Sequence, residues 1–521
     1  MRKTIKIVNA KGQRINKEIN NIPIRYIIAI VLLIIELVLV IGTFIYLIEY
    51  IPYFHYFGLL LECAVFISIV SSNDNPDYKI PWLIFVLILP VVGCMLYLIF
   101  YKRKLSKRFI NKIVEEAKVY KCDDNGVLEK VKKENIEIYN HSKQLKHIAH
   151  THIYNKTSVR YYNVGYDMYI DMLSELKKAE SFIFIEYFII EQGIFWNEIL
   201  KILEEKVKEG VEVRVIYDDI GCMLTLPGNY YKQLRKKGID AIPFGFLRGH
   251  ANSGFNNRNH RKIMIIDGKV GFTGGVNIAD EYINKKARFG YWKDTAVKLN
   301  GDGVNELTNL FLLDYAMSVN EVKKDSNKYY IDYKNEEGNG YVIPFGDGPN
   351  PIYKRQVSKT MIMNMLYNAE KYVYITTPYL IVDNELASAI ENTALRGVDV
   401  RIIVPHIPDK KIVFGMTRSS YKRFIDNGVK IYEYEPGFIH AKSYVSDDNV
   451  AIVGTVNLDY RSLVHHFENG VWMYNTKCIE EIKKDIIDSI NLSIEIKKDS
   501  IRNTYLQRLF RSIVKIFSPL L

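Results

Sequence analysis

The feature that most constrains this chain is a pattern that occurs twice. "HRKIMIIDGKVGFTGGVN" fills 260–277 and "HAKSYVSDDNVAIVGTVN" fills 440–457. In both, a histidine is followed by lysine at +2, aspartate at +7, a glycine-led pair at +14 and asparagine at +17. Upstream, "KEGVEVRVIYDD" matches "LRGVDVRIIVPH", with Gly210 and Gly397 at equivalent places, 187 apart. The histidines His260 and His440 are 180 apart. That period is far too long for a solenoid and indicates a duplicated domain. Within each copy, amphipathic helical stretches alternate with short apolar runs such as "ESFIFIEYFII" and "VEVRVIYDD". This order predicts two pseudo-symmetric α/β halves, each a mixed sheet flanked by helices, over 159–325 and 340–500.

The spacing carries chemistry. Residues two apart on a strand face one side, so His260 and Lys262 enter one space, as do His440 and Lys442. Asp267–Gly268 is hairpin-turn sequence, and the returning strand carries Asn277 back toward His260. Asp267 and Asp447, an odd five positions beyond their lysines, suit fixing the hairpin or anchoring a charge. Gly274 and Gly275 let backbone approach a bulky anion. Two histidines, two lysines and the asparagines Asn277 and Asn457, converging about a pseudo-twofold axis, make a phosphodiester site. Lysine and asparagine would bind the nonbridging oxygens. One histidine would attack phosphorus; the other would protonate the leaving alkoxide and deprotonate the incoming alcohol. This chemistry calls for neither metal nor cofactor. A nucleophilic imidazole needs an acceptor on its other nitrogen. Asp294, 34 residues after His260, and Glu468, 28 after His440, are the candidates. His465 and His466 read as peripheral.

The first hundred residues differ in character. Apolar stretches at 26–48, 57–72 and 80–101 predict a transmembrane segment of two to three helices over 26–101. A tail (1–25) with seven basic residues and one acidic precedes it, and basic "YKRKLSKRFINK" follows. The positive-inside tendency places the segment after residue 101, and so the catalytic halves, in the cytoplasm. Residues 102–158 read as a charged linker. Its His141, His147, His150 and His152 have no cysteine or carboxylate among them, so a polar helix and turn is the better reading than a metal site. The tail 501–521 is amphipathic, suited to an anionic lipid surface or to packing on the catalytic halves. Five scattered cysteines without a C-x-x-C pair fit reduced thiols. A net charge of +11 favours anionic partners; the apolar N-terminus favours lipid over nucleic acid.

With these motifs the chain resembles the phospholipase D superfamily and, within it, bacterial cardiolipin synthases. "YWKDTAV", "TPYLIVDNEL" and "IPWLIFVLILPVVGCMLYLIF" extend the likeness over nearly everything from residue 57. The resemblance implies a multi-pass protein of the cell membrane. It implies that one phosphatidylglycerol transfers its phosphatidyl group to another through a phosphohistidine, giving cardiolipin and glycerol. Hydrolysis, or transfer to another alcohol, is the alternative. The catalytic set it implies is His260, Lys262, Asp267, His440, Lys442 and Asp447, supported by Asn277, Asn457, Asp294 and Glu468. By analogy His260 is favoured as nucleophile, which the pseudo-symmetric sequence leaves open. Gly275 and Thr455 stand where many members have serine, and the stretch 26–48 is an addition to the family pattern.

Overall fold

A computed structural model describes residues 53–72, 74–100, 124–245, 257–319, 326–333, 338, 340–350, 352–500 and 514–520, with short pieces among the first 50. The duplication appears as two sheets of equivalent strand order. In the first sheet the strands run, in spatial order, Thr157–Tyr162, Ala296–Gly301, Val270–Gly274, Lys262–Ile266, Phe182–Tyr187, Glu212–Asp218 and Asp240–Phe244. In the second they run Tyr341–Asp347, Glu468–Tyr474, Val450–Gly454, Ser443–Ser446, Tyr372–Thr376, Asp399–Pro405, Lys430–Tyr434 and an added edge, Ser493–Glu495. Both sheets are mixed. The pairs 182–187 with 212–218 and 372–376 with 399–405 are parallel, and the hairpins carrying the repeated motif are antiparallel.

Local chemistry explains the elements. "FIFIEY" is buried at every position, as the continuous apolar run of a strand covered on both faces requires. The helix Ile194–Lys208 buries Phe195, Trp196, Ile199, Ile202 and Leu203 on one stripe and stops where Gly210 takes φ +91°, a left-handed residue that glycine enters without a Cβ penalty. Gly397 repeats this after Asn384–Leu395, also with φ +91°.

The halves interlock. The largest apolar core contains Phe184, Ile263 and Phe311 from the first half together with Phe345, Ile375 and Val453 from the second. A parallel ladder, Tyr291–Lys293 against Gly437–Ile439, joins one half to the other. The Asn259–Phe467 bridge is its counterpart across the pseudo-dyad.

The N-terminal region departs from expectation. The stretch 26–48 lies largely outside the described residues. The stretch 80–101, expected as one span, is divided between helices Pro76–Ile88 and Pro90–Phe100. Pro90 has no N–H to continue the first helix, and its ring excludes the carbonyl one turn back. The two helices fold against each other closely enough that a Cβ on Gly93 would lie 2.2 Å from the Phe85 carbonyl oxygen. With Phe54–Ser71 they share a small core of Val65, Ile69, Trp82, Val86, Cys94 and Tyr97. Among the described residues no helix is long and apolar enough to cross a membrane.

This helical unit docks on the second half. Asp77 accepts from the Tyr460 hydroxyl (3.0 Å) and the Asn384 backbone N–H (3.1 Å), and the Asn75 amide donates to Asp383 (2.7 Å). Phe517 packs on Phe85, and the Pro519 carbonyl faces His465 at 3.3 Å. This part of the C-terminal tail therefore packs on protein; the tail's residues 501–513 lie outside the described residues. In the linker, His141 packs at a tilt against Trp472 and pairs with Asn364, while His150 ends its helix in a left-handed conformation.

Candidate active site

Each repeated motif begins just before its strand. Lys262 and Ser443 open the strands, and the histidines stand in the extended segments ahead of them. Those segments are held by the opposite half. The His260 N–H donates to the Phe467 carbonyl (2.9 Å) and the His440 N–H to the Lys293 carbonyl (2.7 Å). The two ladders that join the halves thus deliver the two imidazoles.

The same crossing governs the side chains. His260 Nδ1 lies 2.9 Å from Glu468 Oε2, and His440 Nδ1 lies 2.6 Å from Asp294 Oδ2. Each carboxylate therefore serves the histidine of the other half, whereas chain order places Glu468 after His440 and Asp294 after His260. The partners differ in reach. Asp294 is short, and its Oδ1 occupies the space beside Gly275, where a Cβ would stand 2.0 Å away. Glu468 is longer and leaves room for Thr455, whose hydroxyl donates to it. The two departures from the usual serine are thus matched to the two carboxylates.

All of these groups are buried. Burial opposes ionisation of Glu468, but His260 and His466 outweigh it and hold the carboxyl well below its usual range. Burial pushes the His260 imidazole down against the pull of Glu468. Burial and Lys442 push His440 down to about 4. Both rings are then neutral at pH 7. At His260, Glu468 faces Nδ1 and suits a proton there, which leaves the lone pair on Nε2; at His440, Nδ1 lies between Asp294 and Lys442 Nζ, 2.7 Å away. Lys262 is pushed down to about 7, chiefly by burial, with Lys442 adding to it; burial likewise lowers Lys442 to about 8. Each ammonium donates to its own histidine's carbonyl, Lys262 at 2.8 Å. The crossed carboxylates link the two motifs: Glu468 meets both His260 and Thr455, and Asp294 meets His440 and fills the space beside Gly275.

The remaining motif residues are placed differently. Asp267 takes φ +52° and Gly268 φ +66° in the turn, as a two-residue hairpin requires. The Asp267 carboxylate accepts the N–H groups of Glu180, Ser181 and Phe182 at 2.7 to 2.9 Å. Asp447 accepts those of Glu370, Lys371 and Tyr372 at the same distances. The resemblance put both aspartates in the catalytic set; their carboxylates pin the hairpin to the backbone beside the neighbouring strand, the role that their offset from the lysines suggested. Asn277 is held by the Ile189 N–H and the Tyr282 hydroxyl, so its amide is engaged within its own half. Tyr282 in turn lies edge-on to His440. Asn457 bonds Asp459 and keeps a buried amide oxygen without a partner.

Two further groups belong to the site, one read from the sequence as peripheral and one that the sequence reading passed over. His466 lies against His260, with ring centroids 5.4 Å apart, and is part of the site, not peripheral. Among the described residues, His260, His466 and Glu468 are the three ligand-type side chains close enough to hold a metal ion. Arg261, fully buried, joins Asp314 (2.9 Å) to the Glu468 carbonyl (3.1 Å) and Tyr353 (3.1 Å). Its position between His260 and Lys262 was the only signal.

Comparison with known proteins agrees with this geometry. A family model described as "Cardiolipin synthase, PLD-like domain" matches residues 172–288 and 362–489. One described as "Phospholipase_D-nuclease N-terminal" matches 63–100. A cardiolipin synthase of Halalkalibacterium halodurans is 33% identical over 89% of this chain and 93% of its own. The chain belongs to the phospholipase D-like cardiolipin synthase family. An uncharacterized protein of Streptococcus mutans is 42% identical over 87% of this chain and 98% of its own. The fold is also that of a phosphatidylserine synthase from Haemophilus influenzae, with TM-score 0.55 at 14% identity, covering 73% of this chain and 97% of that one. Membership of the cardiolipin synthase family makes the chain an enzyme of the phosphatidyltransferase class acting on phospholipid.

The titration pattern gives a pH profile for this family member. Rising pH through about 4 leaves His440 neutral, and rising pH through about 7 to 8 discharges the lysines. For kcat/KM, which reports the free enzyme, activity should fall across the second interval, as the lysines that hold the anion lose their charge. A bound phosphodiester anion stabilises the ammonium form, so the alkaline limb of kcat should lie higher. Initial rates on a short-chain lipid between pH 4 and 10 check this; a kcat/KM that stays level to pH 10 would mean the lysines remain charged.

Proposed function

We propose that the enzyme joins two phosphatidylglycerol molecules into cardiolipin and glycerol by double displacement at one site shared by the two halves. The crossed pairs His260–Glu468 and His440–Asp294 carry this reading. One neutral histidine attacks phosphorus through Nε2. The N–P bond forms, the bond to the glycerol oxygen breaks, and the other histidine, made imidazolium beside the bound anion, gives its proton to the alkoxide. Glycerol leaves. The headgroup hydroxyl of a second phosphatidylglycerol gives its proton to that same histidine and attacks phosphorus, and the N–P bond breaks. Lys262 and Lys442 neutralise the nonbridging oxygens while charge builds. The resemblance favours His260 as nucleophile, and the fuller set of donors on Glu468 supports it.

A cell-membrane location, with the catalytic halves on the cytoplasmic side, fits the apolar N-terminus and its basic flanks. The helical unit docked at Asp383, Asn384 and Tyr460 would set the site at the lipid surface. The test is product analysis. Purified protein in detergent–lipid micelles is given phosphatidylglycerol alone, and cardiolipin, glycerol and phosphatidic acid are measured. Cardiolipin and glycerol in equal amounts are expected. Phosphatidic acid without cardiolipin would make water the acceptor and replace this reading with a hydrolase.

A further inference from the structure

The duplicated framework is broken beside the two histidines. Trp292 stands two residues before Asp294 and lies against His440, with ring centroids 5.6 Å apart. His466 stands two residues before Glu468 and lies against His260 at 5.4 Å. Where one half presents an indole, the other presents an imidazole. His466 is 8% exposed, and neither ring nitrogen has a hydrogen-bond partner. Its Nδ1 faces Glu468 Oε1 across 3.6 Å, too far for a hydrogen bond. Each unsatisfied buried polar atom costs about 1–3 kcal/mol, so the ring is suited to a ligand that the protein itself does not supply.

The neighbours define that ligand. His260, His466 and Glu468 offer one ligand atom each, all within 4.8 Å of one another. Two imidazoles and a carboxylate are the donor set of open-sided zinc sites, with bonds of about 2.0–2.2 Å. A tetrahedral ion with such bonds separates its ligand atoms by about 3.4 Å. The observed separations from one carboxylate oxygen, Glu468 Oε1, are 3.0 Å to His260 Nδ1 and 3.6 Å to His466 Nδ1, and they bracket that value.

We propose that His260, His466 and Glu468 form an inhibitory site for a divalent transition-metal ion of the zinc class. The ion takes the place of the Nδ1 proton of His260, and that proton moves to Nε2, so the ring stays a neutral imidazole and loses the Nε2 lone pair. Bonds form from the metal to the two imidazole nitrogens and one carboxylate oxygen, and the His260–Glu468 hydrogen bond is lost. No electron is transferred. His260 is then fixed to the ion, and the carboxylate charge that oriented it is spent on the metal. Magnesium and calcium, which prefer oxygen ligands, do not fit this set. The inference holds whichever lipid the enzyme uses.

The test uses the full chain, stripped of metal by a chelator and kept in detergent–lipid micelles. Zinc binding is measured by calorimetry. Cobalt serves as a spectroscopic probe, because its visible absorption reports tetrahedral nitrogen and oxygen ligation. One zinc per chain is expected, with activity lost in parallel and restored by chelator, and no such effect from magnesium. His466→Leu, and His466→Trp, which copies the other half, should weaken zinc binding at least about 100-fold and abolish the cobalt spectrum. Melting curves confirm that the variants are folded. Failure of the wild type to bind zinc would overturn the proposal, and so would a folded His466 variant that binds it as tightly.

Discussion

Replacing His260 or His440 with alanine is expected to lower phosphatidyl transfer by at least about 10⁴-fold, because each removes one member of a unit that works together. The double variant should be hardly worse than either single one. Independent contributions would multiply; a nucleophile and its acid–base partner do not, since neither step proceeds without both. The halves make the expectation sharper. Each imidazole is oriented by the carboxylate of the other half, so neither half holds a complete catalytic pair. Rates of cardiolipin formation for the two single variants and the double variant check this. Single variants with near-normal rates, or losses that multiply, would contradict it.

The largest effect on stability is expected at Asp314. Asp314 and Arg261 form an ion pair with neither side chain exposed, and Asn259 also donates to Asp314 at 3.0 Å. Removing one member leaves the other charge buried and unpaired, at a cost of about 3–5 kcal/mol. Asp314→Ala should therefore lower the apparent melting temperature by roughly 4–6 °C. Activity should fall with it, because Arg261 sits between His260 and Lys262 and holds the Glu468 carbonyl. Arg261→Met combined with Asp314→Leu removes both charges and should cost less than Asp314→Ala alone. Scanning calorimetry of the three proteins decides the matter; an Asp314→Ala melting point within a degree of the wild type would mean the pair is not a structural keystone.

Much of this arrangement was legible from residue spacing. The duplication foretold two sheets of one strand order, since equivalent apolar runs at equivalent intervals fold alike. Asp267–Gly268 foretold the turn, and the odd offset from Lys262 foretold an aspartate turned away from the histidine. The crossed carboxylates were not legible. Glu468 and Asp294 could be named as acceptors, but chain order carries no information on which half's histidine each meets; the ladders at 291–293 and 437–439 decide that. Nor could the role of Asn277 be read, because the Tyr282 hydroxyl that engages it belongs to an irregular segment without periodicity. His466 read as peripheral because it lies outside the repeated pattern; the bridges that pair Lys293 with Ile439 and Phe467 with Asn259 make it the counterpart of Trp292. Pro90 did carry a signal. A proline within an otherwise continuous apolar run ends a helix, yet hydropathy alone favoured one span.

The most direct test is to catch the shared intermediate. Wild-type protein and the His260→Ala and His440→Ala variants are mixed briefly with phosphatidylglycerol labelled at phosphorus, denatured, and assayed for bound label and for its stability in acid and alkali. The wild type should carry label that survives alkali and is lost in acid, as a phosphohistidine would be. One alanine variant should carry none, and the other should label slowly. Turnover without label on the wild type would contradict a covalent histidine intermediate at this site.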